Sequence, residues 1–160
     1  MPAGWAGAEP LGPIERTRWQ LDTSVSSEEV IAALVDFSPR RQVIWKETCD
    51  PAIYRVHAVD HSRAEVTEGV SYAWSRERYD WSVPEVVTLT QLESNVAEPV
   101  GTIRYTVSAL PDGGTRIVCE RYRVFRGFRG RLLGTLMVLV GAPILRRQFR
   151  ASMDRVAAGS

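Results

Sequence analysis

Apolar and polar residues alternate with a period of two through most of the chain, and the period lengthens to three or four only near the start and at the end. Residues 14–21 place Thr17, Trp19 and Leu21 on one side and Arg16, Arg18 and Gln20 on the other, which predicts a first strand. Val30, Ile31, Leu34 and Val35 then mark one face of a short helix. Ser26 or Ser27 is its N-cap, and Glu28 and Glu29 suit the positive end of the helix dipole. Pro39 ends it, because the residue before a proline resists helical angles. A second short helix follows over 40–45. Strands are predicted over 53–59, 64–70, 72–83 and 86–92, with turns at 49–51 and 60–63 and a break at Pro84. Residues 102–110 and 115–125 form a hairpin whose turn, Pro111-Asp112-Gly113-Gly114, supplies the positive backbone angles a tight reversal needs. Residues 129–157 read as one long helix. Its apolar stripe is Val138, Ala142, Leu145, Phe149, Met153 and Val156, with Arg146, Arg147, Arg150 and Arg155 opposite.

The order is therefore strand, two short helices, a run of antiparallel strands and a long helix. It predicts an α+β fold: a curved antiparallel sheet of about six or seven strands wrapped around the C-terminal helix. One helix covers such a sheet incompletely and leaves a cavity beneath it. Gly134, Gly141 and Ala142 reduce the helix's bulk, and Pro143 kinks it. These features make the helix the expected wall, and gate, of a pocket. The length of 160 residues suits one domain, placed at 14–157. Residues 1–13 are rich in Gly, Pro and Ala and lack the basic start and apolar centre of a signal peptide, so they read as a flexible lead-in.

Charge changes this picture only through its distribution. The net charge is +1. Before Arg116 there are 10 basic and 17 acidic residues; from Arg116 onward there are 10 basic and 2 acidic. The arginine-rich end, beside the apolar run 132–145, resembles an interfacial helix that rests on anionic lipid, against the plainer reading of a solvated helix face. The run itself has 14 residues, short of the roughly 20 that cross a bilayer, and predicts a buried helix. No nucleic-acid recognition motif is present and the overall charge is near zero, so nucleic-acid binding is the poorer account of the basic end and no nucleic-acid partner is expected. Cys49 and Cys119 make no disulfide framework, and a reducing cytoplasm, with the membrane periphery as a variant, is the expected setting. The sequence leaves a homodimer open.

The stretch SSEEVIAALVDFSPRRQVIW at 26–45 resembles the opening helix pair of the helix-grip superfamily called SRPBCC. That superfamily includes START lipid-binding domains and bacterial polyketide cyclase/dehydrase-like proteins. Glu29-Val30, Leu34, Asp36, Trp45, Gly101-Thr102, Gly113-Gly114-Thr115 and the closing helix carry the resemblance, which spans 14–157. Ile31 departs from the aromatic residue that bacterial relatives often have there. The resemblance implies a deep apolar cavity for a lipid, polyketide or other aromatic or isoprenoid molecule, in a carrier or sensor. It does not imply catalysis. An enzyme of the cyclase/dehydratase type, or a membrane-peripheral lipid-handling protein, are the alternatives, and no cofactor is implied.

Aromatic side chains with polar tips suit a pocket that is apolar yet orients its ligand. Trp19, Tyr54, Trp74, Tyr79, Trp81, Tyr105 and Tyr122 lie in predicted strands, and Met137, Gly141 and Leu145 on the helix complete the expected lining. Each of the aromatics also has a plain role in core packing. The phase of 115–125 is open: Ile117 and Cys119 suggest one inward face, Val118, Tyr122 and Val124 the other, and a bulge would reconcile them. On the second choice Glu120 points inward as an acid or base, with Arg78 and Tyr122 as further proton-transfer candidates. Alternation otherwise sends Arg78, Asp80, Glu120, Arg121 and Arg123 to solvent. His57 and His61 fall on a strand and a turn, where their rings need not converge, and no metal is expected. GxSxG and phosphate-loop patterns are absent from the sequence.

Overall fold

The computed structural model describes residues 12–159; most of the expected lead-in, residues 1–11, lies outside them. The elements in chain order are β1 (Ile14–Thr23), α1 (Ser27–Leu34), α2 (Arg40–Ile44), β2 (Arg55–Val59), β3 (Arg63–Val70), β4 (Ala73–Asp80), β5 (Val86–Ser94), β6 (Thr102–Ala109), β7 (Thr115–Val124) and α3 (Gly127–Ala157). From β2 to β7 each strand pairs antiparallel with the next, and β1 returns to pair with β7. The result is the α+β helix-grip architecture, with seven strands, two short helices after the first strand and a long closing helix among the described residues.

Local chemistry explains the boundaries. Ser26 caps α1 in a capping box: the Glu29 amide donates to its hydroxyl, and its own amide donates to the Glu29 carboxylate. The β6–β7 turn uses Gly113 at φ +87°, a conformation that side chains rarely adopt. In β7 the register with β1 and β6 runs without interruption, so there is no bulge there. The register shifts lie elsewhere, between Val56 and Ala58 and between Arg76 and Glu77. With β7 regular, one phase holds throughout: Thr115, Ile117, Cys119, Arg121 and Arg123 share the inner face, and Val118, Glu120 and Tyr122 the outer.

Two hydrophobic clusters hold the molecule. The larger joins the inner face of the sheet (Leu21, Val66, Val87, Ile117) to Val30 and Leu34 of α1, Ile44 of α2, and Phe149, Met153 and Val156 of α3. The smaller gathers Val96, Ala97 and Phe125, with Leu133 and Met137 of α3 against them. The N-terminal half of α3 meets this second cluster through its glycines. A Cβ on Gly130 would lie 2.2 Å from the Val96 carbonyl oxygen, and one on Gly134 would lie 2.7 Å from the Phe125 ring.

That close approach fixes the rotation of α3 and corrects the expected stripe. Gly130, Gly134 and Gly141 face inward, so Val138, expected inside, is exposed. The run 132–145, expected to be buried, instead leaves Leu132, Leu136, Val138 and Leu139 in solvent. The glycines serve backbone approach in addition to reducing bulk. α3 stays helical through Pro143, which sits exposed.

Candidate functional site

Between the inner face of the sheet and α3 lies a cavity of about 230 Å³. Its apolar wall is aromatic, and Phe149 is the hub. The Phe149 ring centroid lies 5.0 Å from that of Trp19, 5.1 Å from Trp45 and 5.5 Å from Tyr105. Helical spacing delivers Leu145, Phe149 and Ser152 to the cavity from α3. Strand alternation delivers Trp19 from β1, Leu89 from β5, Ile103 and Tyr105 from β6, and Cys119 from β7.

One polar group is built around Arg41 of α2, which is only 4% exposed. Its Nε and Nη2 donate to the two oxygens of Glu68 at 2.9 and 3.2 Å, and Nη2 also donates to the Tyr79 hydroxyl at 2.7 Å. Nη1 donates to the carbonyls of Leu34 and Asp36 at 3.1 and 3.2 Å. All five guanidinium donors are thus used. The Tyr79 hydroxyl in turn donates to Glu68. This ties α2 to α1, β3 and β4 at a single point.

A second group comes from strands alone. Arg123 of β7 pairs with Glu77 of β4 and donates to Gln91 of β5. Ser75 donates to Glu77 at 2.8 Å, and Gln91 donates to the Glu98 carbonyl at 3.0 Å. Beside it Arg121 donates to the fully buried Glu15 of β1 at 3.2 Å. Three polar atoms in this region have no partner among the described residues although buried: Trp19 Nε1, Arg123 Nε and Glu15 Oε2.

Burial and neighbouring charge set the protonation states. Burial works to raise Glu77, but the guanidinium groups of Arg123 and Arg121 and the Ser75 hydroxyl hold it below the ordinary carboxylate value, so it is ionised at neutral pH. Burial drives the phenols of Tyr79 and Tyr105 well above their usual range. It also pushes the thiols of Cys49 and Cys119 up to about 12, so both are neutral and poor nucleophiles.

Of the ligand-contacting residues expected from sequence, Trp19, Trp74, Tyr79, Tyr105, Met137 and Leu145 line the cavity. Tyr54 does not; its hydroxyl donates to the Phe37 carbonyl at 3.1 Å under the α1–α2 connection. Trp81 packs on Phe37, and Gly141 sits against Met137. The three proton-transfer candidates all point away. Glu120 faces solvent beside Arg18, Tyr122 stacks outside under Arg16, and Arg78 lies near Glu65 on the outer surface. The reason is the regular phase of β7, which turns even-numbered residues out, and the matching alternation of β4. By the same rule Arg121 and Arg123, expected in solvent, face in.

Sequence reasoning missed Arg41, Glu68, Glu77, Gln91 and Glu15. Arg41 and the glutamates are charged residues in ordinary amphipathic positions, and their partners lie up to 106 residues away. One usable signal was present: on the odd phase of β1 that carries Thr17, Trp19 and Leu21, the next inward position is Glu15. No three His, Cys, Asp or Glu side chains are grouped to hold a metal among the described residues. His57 reaches Thr67 at 2.9 Å on an exposed strand, and His61 is exposed beside Asp60.

No family model matches the sequence, and no curated protein is significantly similar to it. Solved structures do share its fold. A protein from Thermus thermophilus superposes with a TM-score of 0.71 at 17% identity, covering 91% of this chain and 99% of that one. A START superfamily protein from Mycobacterium smegmatis superposes at 0.70 with 11% identity, covering 93% and 100%. The Zhui aromatase/cyclase from Streptomyces sp. R1128 superposes at 0.62 with 14% identity, covering 91% and 87%. At these identities the likeness establishes a START/SRPBCC-like fold and no activity.

Proposed function

We propose that the protein binds a small, uncharged, largely apolar molecule in the cavity beneath α3. The observation that carries this reading is the make-up of the wall. An aromatic cluster around Phe149 forms one side, and the charges on the other are matched in pairs: Arg41 with Glu68, Arg121 with Glu15, Arg123 with Glu77. A ligand carboxylate would add a negative charge beside Glu15, Glu68 and Glu77, whose cations are already paired, and Arg41 has no donor left to offer. The N–H groups of Trp19 Nε1 and Arg123 Nε lack acceptors among the described residues, which favours a ligand carrying carbonyl or hydroxyl oxygen. As to size, a dry cavity of about 150 Å³ holds a benzene. A volume of about 230 Å³ suits a molecule of one or two rings, or a short isoprenoid. Two buried free thiols fit a reducing cytoplasm.

Native mass spectrometry of protein purified gently from its host tests the reading. A neutral aromatic or isoprenoid mass should accompany the wild type and be lost from Leu145→Trp, which fills the cavity. If the wild type takes up nothing from host extracts or from a panel of neutral one- and two-ring ketones and phenols, the reading is wrong.

A second reading, a cyclase- or dehydratase-like enzyme, is favoured by the Tyr79 hydroxyl hydrogen-bonded to Glu68 at the cavity wall. There Glu68, held in place by Tyr79 and Arg41, would take a proton from the substrate. That reading requires turnover of a polyketone substrate that falls at least about tenfold in Glu68→Gln. Binding without turnover leaves only the first.

A further inference from the structure

We propose that the N-terminal half of α3 docks the protein onto an anionic membrane, lying in the plane of the interface. Phe128 is 80% exposed, Leu132 61%, Leu136 49% and Leu139 75%. Their spacing of four, four and three puts all four on one side of the helix, opposite Gly130 and Gly134, which press on Val96 and Phe125. The apolar strip runs about 17 Å, at 1.5 Å per residue. None of the described residues covers it, and a free strip of this kind marks an interaction surface.

The charge around the strip identifies the occupant. Arg129 stands beside its start, and Arg146, Arg147 and Arg150 continue the same side of the helix beyond its end. Asp154 is the single acidic residue of α3. A second copy seated in parallel would stack these arginine groups against one another, and one seated antiparallel would carry Arg146, Arg147 and Arg150 past the start of the facing helix, with no acidic residue of that helix opposite them, so neither arrangement gives the arginines a counter-charge on α3. A phosphate-rich surface with an apolar interior meets both demands at once. α3 is long and apolar enough, by length and composition, to cross a membrane. Its glycine face and Phe149, Met153 and Val156 are committed to the protein, however, which leaves the outward strip to lie along the surface. The inference does not depend on what the cavity holds.

Flotation of the full-length protein with vesicles tests it. Binding to phosphatidylcholine vesicles containing about 30 mol% phosphatidylglycerol should exceed binding to phosphatidylcholine alone at least tenfold, since each arginine at an anionic surface is worth roughly fivefold. Leu132→Ser with Leu139→Ser, and separately Arg147→Glu with Arg150→Glu, should each cut binding by about tenfold or more. All four positions are exposed, so the melting temperature of either double variant should stay near that of the wild type. Equal binding to both vesicle types, no binding to either, or flotation that neither variant weakens would overturn the proposal. So would a concentration-dependent dimer that Leu132→Ser/Leu139→Ser dissolves, which would assign the strip to a second copy.

Discussion

Replacing Arg41 with leucine removes the cation in contact with Glu68 and Tyr79 and with the carbonyls of Leu34 and Asp36. Leucine keeps the apolar bulk and returns none of the five hydrogen bonds. Arg41 is 4% exposed, so solvent cannot repair the loss. Breaking a buried ion pair from one side costs about 3–5 kcal/mol, against a typical total stability of about 5–15 kcal/mol. For a chain of this size each kcal/mol lowers the melting temperature by roughly 2–4 °C, so a drop of about 10 °C is expected. Equilibrium urea unfolding of the wild type, Arg41→Leu, Glu68→Leu and the double variant forms the measurement. The double variant should recover part of the loss, because no stranded charge remains, while the Leu34 and Asp36 carbonyls still lack their donor. A single-variant cost below about 1 kcal/mol would equate the pair with an exposed one and refute the reasoning.

Other outcomes follow from the same structure. Phe149→Ala removes the shared partner of three aromatic rings and should cost about 3–5 kcal/mol by chemical denaturation. Glu77 has a lowered pKa when folded, so it contributes stability above its unfolded value of 4.5 that is lost as pH falls through the folded value. A melting-temperature series should therefore fall below about pH 4.5, and Glu77→Gln should flatten that fall. Cys49 and Cys119 are buried with thiol pKa values near 12, so an aromatic disulfide reagent at pH 8 should label neither thiol of the native protein and both after unfolding.

The strands, the short helices and the cap were legible because period and turn chemistry are local properties. Residues 72–83 shortened to Ala73–Asp80 and residues 53–59 to Arg55–Val59, both within the same elements. The phase of β7 was not legible. It depends on Arg121 and Arg123 being inside, and that becomes favourable only once Glu15 and Glu77 arrive from distant strands. The rotation of α3 failed for a related reason. Ranking side chains by hydrophobicity sends Val138 and Leu139 inward, whereas backbone contact with Val96 and Phe125 selects the glycine face. Of the site, the aromatic lining around Trp19 and Tyr105 could be read from alternation, and the paired charges could not.

The two hydrophobic clusters support α3 as two unequal piers support a beam. The C-terminal pier, with Phe149, Met153 and Val156, belongs to the main core and shares the stability of the whole domain. The N-terminal pier rests on Val96, Ala97 and Phe125, with Leu133 and Met137 above them. Releasing it exposes far less apolar surface than unfolding does, so it opens at a lower free energy. Met137, in this pier, and Leu145, beyond it towards the main core, are both cavity wall. Opening of that pier on its own would uncover the cavity wall, and amide exchange over residues 131–137 should then outpace exchange near Met153.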